Sequence, residues 1–444
     1  MERIRPHISR GERTRNLLVL SILLLSTLPI GLSSIISIPF FSTSAEALGE
    51  ELEGRAPTDV ELTPGVEAAF TRESYAPRSR ADLVIYNRAK GLKLQIFRSG
   101  PEGTPTRDQV TMNGLPVTKP VAIGTSSGRK TMSVTIGKWP TGVYFARLSA
   151  ADGRLGFAPF VLRPRRLGQH RVAVVMPTLT WQAYNLRDMD GDGTGDSWYA
   201  SWRHKTVQLG RPYLNRGVPS RFRQYDLPFL HWLSWTHRGV DYLAQADLEA
   251  AESGAALAKA YDLIVFPGHH EYVTTREYDV VEAYRDLGGN LMFLSANNFF
   301  WRVIKSGNLI TKTQQWRDLG RPEAALIGVQ YRGNDNGTHR GTWHIRGASA
   351  VEWIFSGTGL EAGDTWGNGS IEIDRKAPQS PRGTQVLAEI PNLFGPGFTA
   401  QMTYYETPRG AKVYAAGAFT VAGAVLRADV RPVVENLWER LTRP

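Results

Sequence analysis

The chain of 444 residues contains no cysteine. That absence excludes a thiol nucleophile, an iron-sulfur cluster and thiolate-ligated zinc, and it leaves oxygen and imidazole as the metal donors. A glutaminase-type cysteine mechanism is excluded with them. No run of like charges gathers the net charge of +10, made by 52 Lys and Arg against 42 Asp and Glu, into a stripe. Nucleic acid is therefore not an expected partner, and solubility or attraction to an anionic cell surface accounts for the excess. No dinucleotide or P-loop glycine pattern occurs, and His270-Glu271 lacks the second histidine of an HExxH zinc helix. Gly124-Thr125-Ser126-Ser127-Gly128 fits the nucleophile-elbow pattern but runs on into strand-like residues where a helix is required. There is no internal repeat.

Apolar material is plentiful. The chain is 42% hydrophobic, with 12 Trp, 16 Tyr and 17 Phe, enough for two folded domains. Arg3, Arg5, Arg10, Arg13 and Arg15 precede an uncharged stretch over residues 17 to 45, and Ala45-Glu46-Ala47 offers a small-x-small cleavage pattern. Residues 1 to 47 read as an export signal. The stretch is also long enough to span a bilayer, so an uncleaved membrane anchor is the competing reading; either places the body of the protein outside the cytoplasm. Residues 48 to 79, rich in Glu, Pro, Thr and Ala, read as a linker. Over residues 80 to 165, short alternating runs (LVIYN, KLQIF, MSVTI, VYFARL, FAPFVL) separated by Gly/Pro turns predict a small immunoglobulin-like β-sandwich.

The period changes after residue 166. VAVVMP at 172, YDLIVFPG at 261 and NLMFLSANN at 290 are continuous apolar runs, as expected of strands covered on both faces. Between them, Asp226 is placed to cap a helix that stops at Gly239. Thr274-Thr275-Arg276-Glu277 reads as a capping box for a helix whose Val280, Tyr284 and Leu287 share one face. A last helix is expected over residues 430 to 441. The alternation predicts an α/β domain over residues 166 to 444 built on a mostly parallel, doubly wound sheet of glutaminase or flavodoxin type. Ligands of such sheets bind beyond the carboxyl ends of the strands. Three of those ends carry polar clusters that the core does not need: Thr180-Trp181-Gln182-Ala183-Tyr184-Asn185, Gly268-His269-His270-Glu271-Tyr272 and Asn297-Asn298.

The order TWQAYN, GRPY at 210, DLPFLHWL at 226, GHHEY at 268, GGNLMFLSANNFFW at 288 and YYETPRGAKVYAAGAF at 404 resembles the large subunit of N,N-dimethylformamidase, over roughly residues 140 to 426. The resemblance implies a mononuclear Fe(III) held by two tyrosines and a glutamate, and hydrolysis of a small amide. Carried over, it implies Tyr184, Tyr213 and Glu271 as ligands, with Tyr199 competing for the place of Tyr213. It further implies His269, Asn297 and Glu406 as surrounding catalytic groups. This chain has His270 where the common motif has aspartate, and it lacks much of the long N-terminal portion. The rival reading is a non-catalytic cell-surface protein using the same fold to bind glycans or envelope components. A small partner subunit and the oligomeric state are not legible in the sequence.

One cluster falls outside that pattern. Asp188, Asp190, Asp192 and Gly193 match positions 1, 3, 5 and 6 of a calcium loop, and Asp196 falls at position 9. Position 12, where a bidentate Glu is wanted, holds Tyr199. Weak Ca2+ binding at Asp188, Asp190 and Asp192 is one expectation, and a solvated Asp/Gly turn beside Tyr184 is the other.

Overall fold

In the computed structural model, residues 65–102, 108–346 and 353–443 are described. The export-signal or anchor reading of residues 1 to 47 lies outside them. No helix of the described residues is long and apolar enough to cross a membrane.

The α/β part is built on a nine-stranded sheet. Five strands, in spatial order Asp241–Ala244, Val172–Met176, Leu263–Phe266, Asn290–Phe293 and Lys412–Ala415, are parallel. Their side chains alternate between two apolar layers. Val172, Val174, Met176, Val265 and Met292 face one, and Ala173, Val175, Ile264, Phe266 and Phe293 face the other. The second layer is covered by Leu257 and by Tyr278, Val280, Val281 and Tyr284 of the helix Thr275–Asp286. The first is covered by the helices Leu227–Trp235 and Arg431–Thr442. With helices on both faces, the parallel strands are apolar beyond their first residues, where Asp241, Asn290 and Lys412 stand.

The sheet then changes character. Ala400–Glu406, Gln385–Ile390, Arg340–Ile345 and Thr365–Ser370 extend it as antiparallel strands. The expected parallel sheet is thus the first half of a mixed one. A four-stranded sheet of Thr206–Gln208, Leu309–Gln315, Trp301–Ser306 and Tyr272–Thr274 and a two-stranded antiparallel sheet of Gln330–Asn334 with Glu372–Arg375 stand beside it.

Toward the N-terminus lie a three-stranded and a six-stranded sheet. The strand Gly142–Ser149 shows how they are held. Tyr144, Ala146 and Leu148 face the three-stranded sheet, while Val143 and Phe145 join the apolar layer beneath the nine-stranded sheet. Residues 65 to 77, expected as linker, are ordered into these sheets through Ala68–Phe70 and Ser74–Tyr75. Few and short, those strands give no periodicity to read, yet Ala68, Ala69 and Phe70 are buried.

Two local expectations need correction. Asp226 does occupy the N-cap position of Leu227–Trp235, but its side chain makes no capping bond; Oδ2 accepts from Trp181 Nε1 at 3.0 Å instead. Leu287 does not share the buried face of Val280 and Tyr284; it is the C-cap residue and is exposed. The capping box itself forms, with the Glu277 N–H donating to Thr274 Oγ1 at 3.1 Å.

Candidate active site

The turn Gly268-His269-His270-Glu271 joins the parallel strand Leu263–Phe266 to the neighbouring sheet, and its backbone is closely packed. A Cβ on Gly268 would overlap Asp226 Oδ1, so glycine is needed for a close approach rather than for its φ. The ring nitrogens of His270 face the carbonyl oxygens of Gly268 and Val175, each at 3.0 Å, and burial pushes its pKa down to about 3. His270 is therefore a pin between turn and strand. His269 and Glu271, on either side of it, are buried at the carboxyl edge of the sheet.

Glu271 gathers the tyrosines. Tyr184 Oη donates to Glu271 Oε2 at 2.6 Å and Tyr199 Oη donates to the same oxygen at 2.9 Å. The two rings stack with centroids 4.4 Å apart. Tyr199 Oη also bonds Tyr272 Oη, which accepts from Trp198 Nε1 at 3.1 Å. Burial pushes the Glu271 pKa up, with His269 opposing and Glu372 reinforcing. Tyr213 lies elsewhere: its phenol bonds Gln182, and burial, then Glu73, raise its pKa. Of the competing tyrosines it is Tyr199 that stands beside Glu271.

Tyr199 is delivered there by the Asp/Gly loop. Asp188 accepts from the N–H groups of Gly191 and Gly193 at 2.7 and 2.9 Å, and Asp196 Oδ2 accepts from Met189 N at 2.9 Å. Asp192 accepts from Thr194 N at 2.7 Å. The carboxylates that converge are Asp188, Asp190 and Asp196, with ligand atoms within 4.8 Å of one another; Asp192 is not among them. Both ends of the loop are tied to Arg211, whose buried guanidinium donates to five carbonyls. These are Gln208 at 2.9 Å, Arg187 at 3.2 Å, and Asp196, Gln182 and Asn185 at 3.0 Å. Every donor of the fork is used, so the cation is held although burial pulls its pKa down to about 10.

On the other side of Glu271, His269 Nε2 lies 3.1 Å from Glu372 Oε2 and 3.7 Å from Glu271 Oε2, with the Phe419 ring edge-on at 4.7 Å. Burial alone would lower the imidazole pKa; the two carboxylates, Glu372 first, outweigh it and the net shift is upward. Glu372 is a site residue that the sequence reading missed. Its strand, Glu372–Arg375, places Glu372 and Asp374 on one face with buried Ile373 on the other, and that E-I-D alternation was the available signal. Asp374 Oδ1 accepts from Asn297 N at 2.9 Å, holding Asn297 at φ +54° in the loop after Asn290–Phe293. Asn298 Oδ1 accepts from His270 N at 3.1 Å.

Glu406 does not reach this site. In the antiparallel strand Ala400–Glu406 it pairs with Lys412, the first residue of Lys412–Ala415, and so lies where the parallel strands begin, at the opposite edge of the sheet. There it is exposed and bonded to Tyr404 and Arg440. The strand end was read correctly, but an antiparallel strand ends on the wrong side. The cleft over His269 is lined by Tyr184, Trp181, Arg221, Tyr225, Asp226 and Phe419; its space, about 20 Å3, is on the scale of a water molecule.

The beta subunit of N,N-dimethylformamidase from Paracoccus aminophilus is 31% identical over 182 residues, which are 40% of this chain and 23% of that one. That from Alcaligenes sp is 30% identical over 182 residues, with the same coverage. The match thus spans less than a quarter of the length of these relatives. Among solved structures, a superoxide reductase (neelaredoxin) from Ignicoccus hospitalis is 18% identical, covering 26% of this chain and 89% of that one, with a TM-score of 0.16. Likeness at that level carries no argument about chemistry. The model of the N,N-dimethylformamidase beta subunit-like C-terminal family matches residues 125–429, a span that holds every residue gathered around Glu271. It is to this family that the chain belongs.

Proposed function

We propose that the chain is an exported, metal-dependent hydrolase of a small amide, with Tyr184, Tyr199 and Glu271 as the metal's ligands. The observation that carries this reading is the convergence of two phenol oxygens on one carboxylate oxygen, at 2.6 and 2.9 Å. Oxygens about 2 Å from a common ion lie roughly 3 Å apart, so this spacing fits a shared cation. Phenolates and a carboxylate are hard anionic donors, the set that suits a trivalent ion such as Fe(III). When bound, such an ion polarises a carbonyl and lowers the pKa of coordinated water.

The remaining steps belong to the chain's own residues. Hydrolysis adds water oxygen to the amide carbon, breaks the C–N bond and leaves a carboxylic acid and an amine, so one proton must leave the water and one must reach nitrogen. Glu372, 3.1 Å from His269, keeps the imidazole supplied with a proton for the departing nitrogen and takes up the one the water loses. Asn297, its N–H held by Asp374, follows the strand Asn290–Phe293 at the same carboxyl edge of the sheet.

The test is metal analysis and visible absorption of the purified full chain, with Tyr184→Phe, Tyr199→Phe and Tyr213→Phe in parallel, followed by an amide panel that includes N,N-dimethylformamide. About one iron per chain, with a phenolate-to-iron band lost or shifted in the first two variants and kept in the third, is the expected result. Protein that stays colourless and metal-free after iron reconstitution removes the reading.

A further inference from the structure

A second cavity, of about 290 Å3, opens between the N-terminal sheets and the edge of the α/β part, at the lower end of the roughly 300–1,000 Å3 typical of small-molecule sites. Its walls are charged in both signs: Arg72, Glu73, Arg163, Asp247 and Lys305 line it, with Asn308 at the rim. Some of these groups are satisfied within the protein. Asp247 accepts from Ser74 Oγ at 2.8 Å and Ala244 N at 2.9 Å and lies 3.3 Å from Arg163 Nε. Such a network explains Asp247 and Arg163 without a ligand.

Glu73 and Arg72 are not explained that way. Glu73 Oε2 accepts from Thr178 Oγ1 at 2.8 Å, but Oε1 is buried and has no partner. A buried carboxylate oxygen without a donor is costly, and burial duly pushes the Glu73 pKa up. Arg72 uses its main-chain N–H, donating to Tyr75 Oη at 3.1 Å, while its side chain is exposed at the cavity. Lys305 spends one of its three donors on Glu249, at 2.9 Å. The cavity is thus lined on one wall by a carboxylate with acceptor capacity unused and on another by cations with spare donors. A simple anion would leave Glu73 Oε1 unpaired and meet its charge, and a simple amine would leave the cations unanswered.

We propose that this cavity binds a small zwitterion of the amino-acid type, its ammonium against the Glu73 carboxyl group and its carboxylate against Arg72 and Lys305. The inference goes beyond the hydrolase reading and does not rest on it. Arg72, Glu73 and Gly210 also line a smaller cleft that reaches Trp181 and Tyr213, so the ligand would sit behind the loop that carries the tyrosines.

Isothermal titration of the full chain with glycine, β-alanine and γ-aminobutyrate, beside butyrate and butylamine as single-charge probes, tests it. Saturable heat is expected from at least one zwitterion, with affinity lowered about tenfold or more in Glu73→Gln and in Arg72→Ala and unchanged in Glu406→Gln. Glu73→Gln is isosteric and Arg72 is exposed, so either variant suffices should the other fail to fold. Equal binding of butyrate or butylamine, unchanged affinity in the folded variants, or no heat from any probe would overturn the proposal.

Discussion

Two acids on one face of the strand Glu372–Arg375 have different work. Glu372, beside His269, serves the proposed chemistry and Asp374 holds the Asn297 N–H, whereas Glu406, on another strand, lies at the far edge of the sheet. Glu372→Gln is expected to lower amide hydrolysis about a hundredfold or more with little change in KM, and Glu406→Gln to stay within about twofold. Initial rates on the best amide of the panel check both. Asp374 makes a prediction about stability. Burial, against the opposing Asn297 N–H, raises its pKa to about 8. The folded state then holds a proton that the unfolded chain has released above its ordinary carboxylate pKa, near 4. Stability is lost as pH rises from about 4 toward 8 and levels off above it. Asp374→Asn keeps an acceptor for Asn297 and removes the titration. Relative to the wild type it should gain up to about 1.4 kcal/mol per pH unit in that window, read by urea unfolding at pH 5 and pH 8. A difference that is flat with pH would sink this assignment.

At the scale of the element, the Asp/Gly loop is a frame rather than an end in itself. Its carboxylates are taken up by its own N–H groups, and its two ends converge on Arg211, so the loop holds its shape and ends on Tyr199. Arg211→Met strands five carbonyls. It is expected to destabilise the fold by roughly 3 kcal/mol or more in urea unfolding and to abolish the iron band along with Tyr199→Phe. Loss of stability with an intact band would show that Arg211 is structural only. The same loop marks where sequence reading stops. Val172–Met176, Leu263–Phe266 and Asn290–Phe293 were legible because a strand covered on both faces is a nearly continuous apolar run. Thr365–Ser370 was not, since glycine and asparagine carry no strand signal, and the short alternation of Glu372–Arg375 does not say which residues it meets, since only the tertiary fold brings Glu372 to His269. Spacing could not choose between Tyr199 and Tyr213, because Arg211 decides the path of the chain between them.

For the molecule as a whole, the N-terminal sheets and the α/β part share one apolar layer, in which Phe97, Phe145 and Phe157 pack with Val174, Phe229 and Trp232. Polar ties cross the same boundary. Tyr242 N donates to Thr141 Oγ1 at 2.9 Å and Phe157 N to the Arg216 carbonyl at 2.7 Å. Arg223 Nη1 lies 2.8 Å from Glu102 Oε1, with both side chains almost fully buried. Separating the two parts would expose the aromatic layer and leave that ion pair divided, so neither part has a stable surface of its own where they meet. The described residues should therefore unfold in one calorimetric endotherm. Arg223→Ala leaves Glu102 buried and uncompensated, at an expected cost of about 3–5 kcal/mol. Because the layer is shared, that variant should move the whole endotherm to lower temperature without splitting it. Two resolved transitions, in the wild type or in Arg223→Ala, would mean that the apolar layer does not couple the sheets. The cavity between them would then be a hinge rather than a fixed pocket.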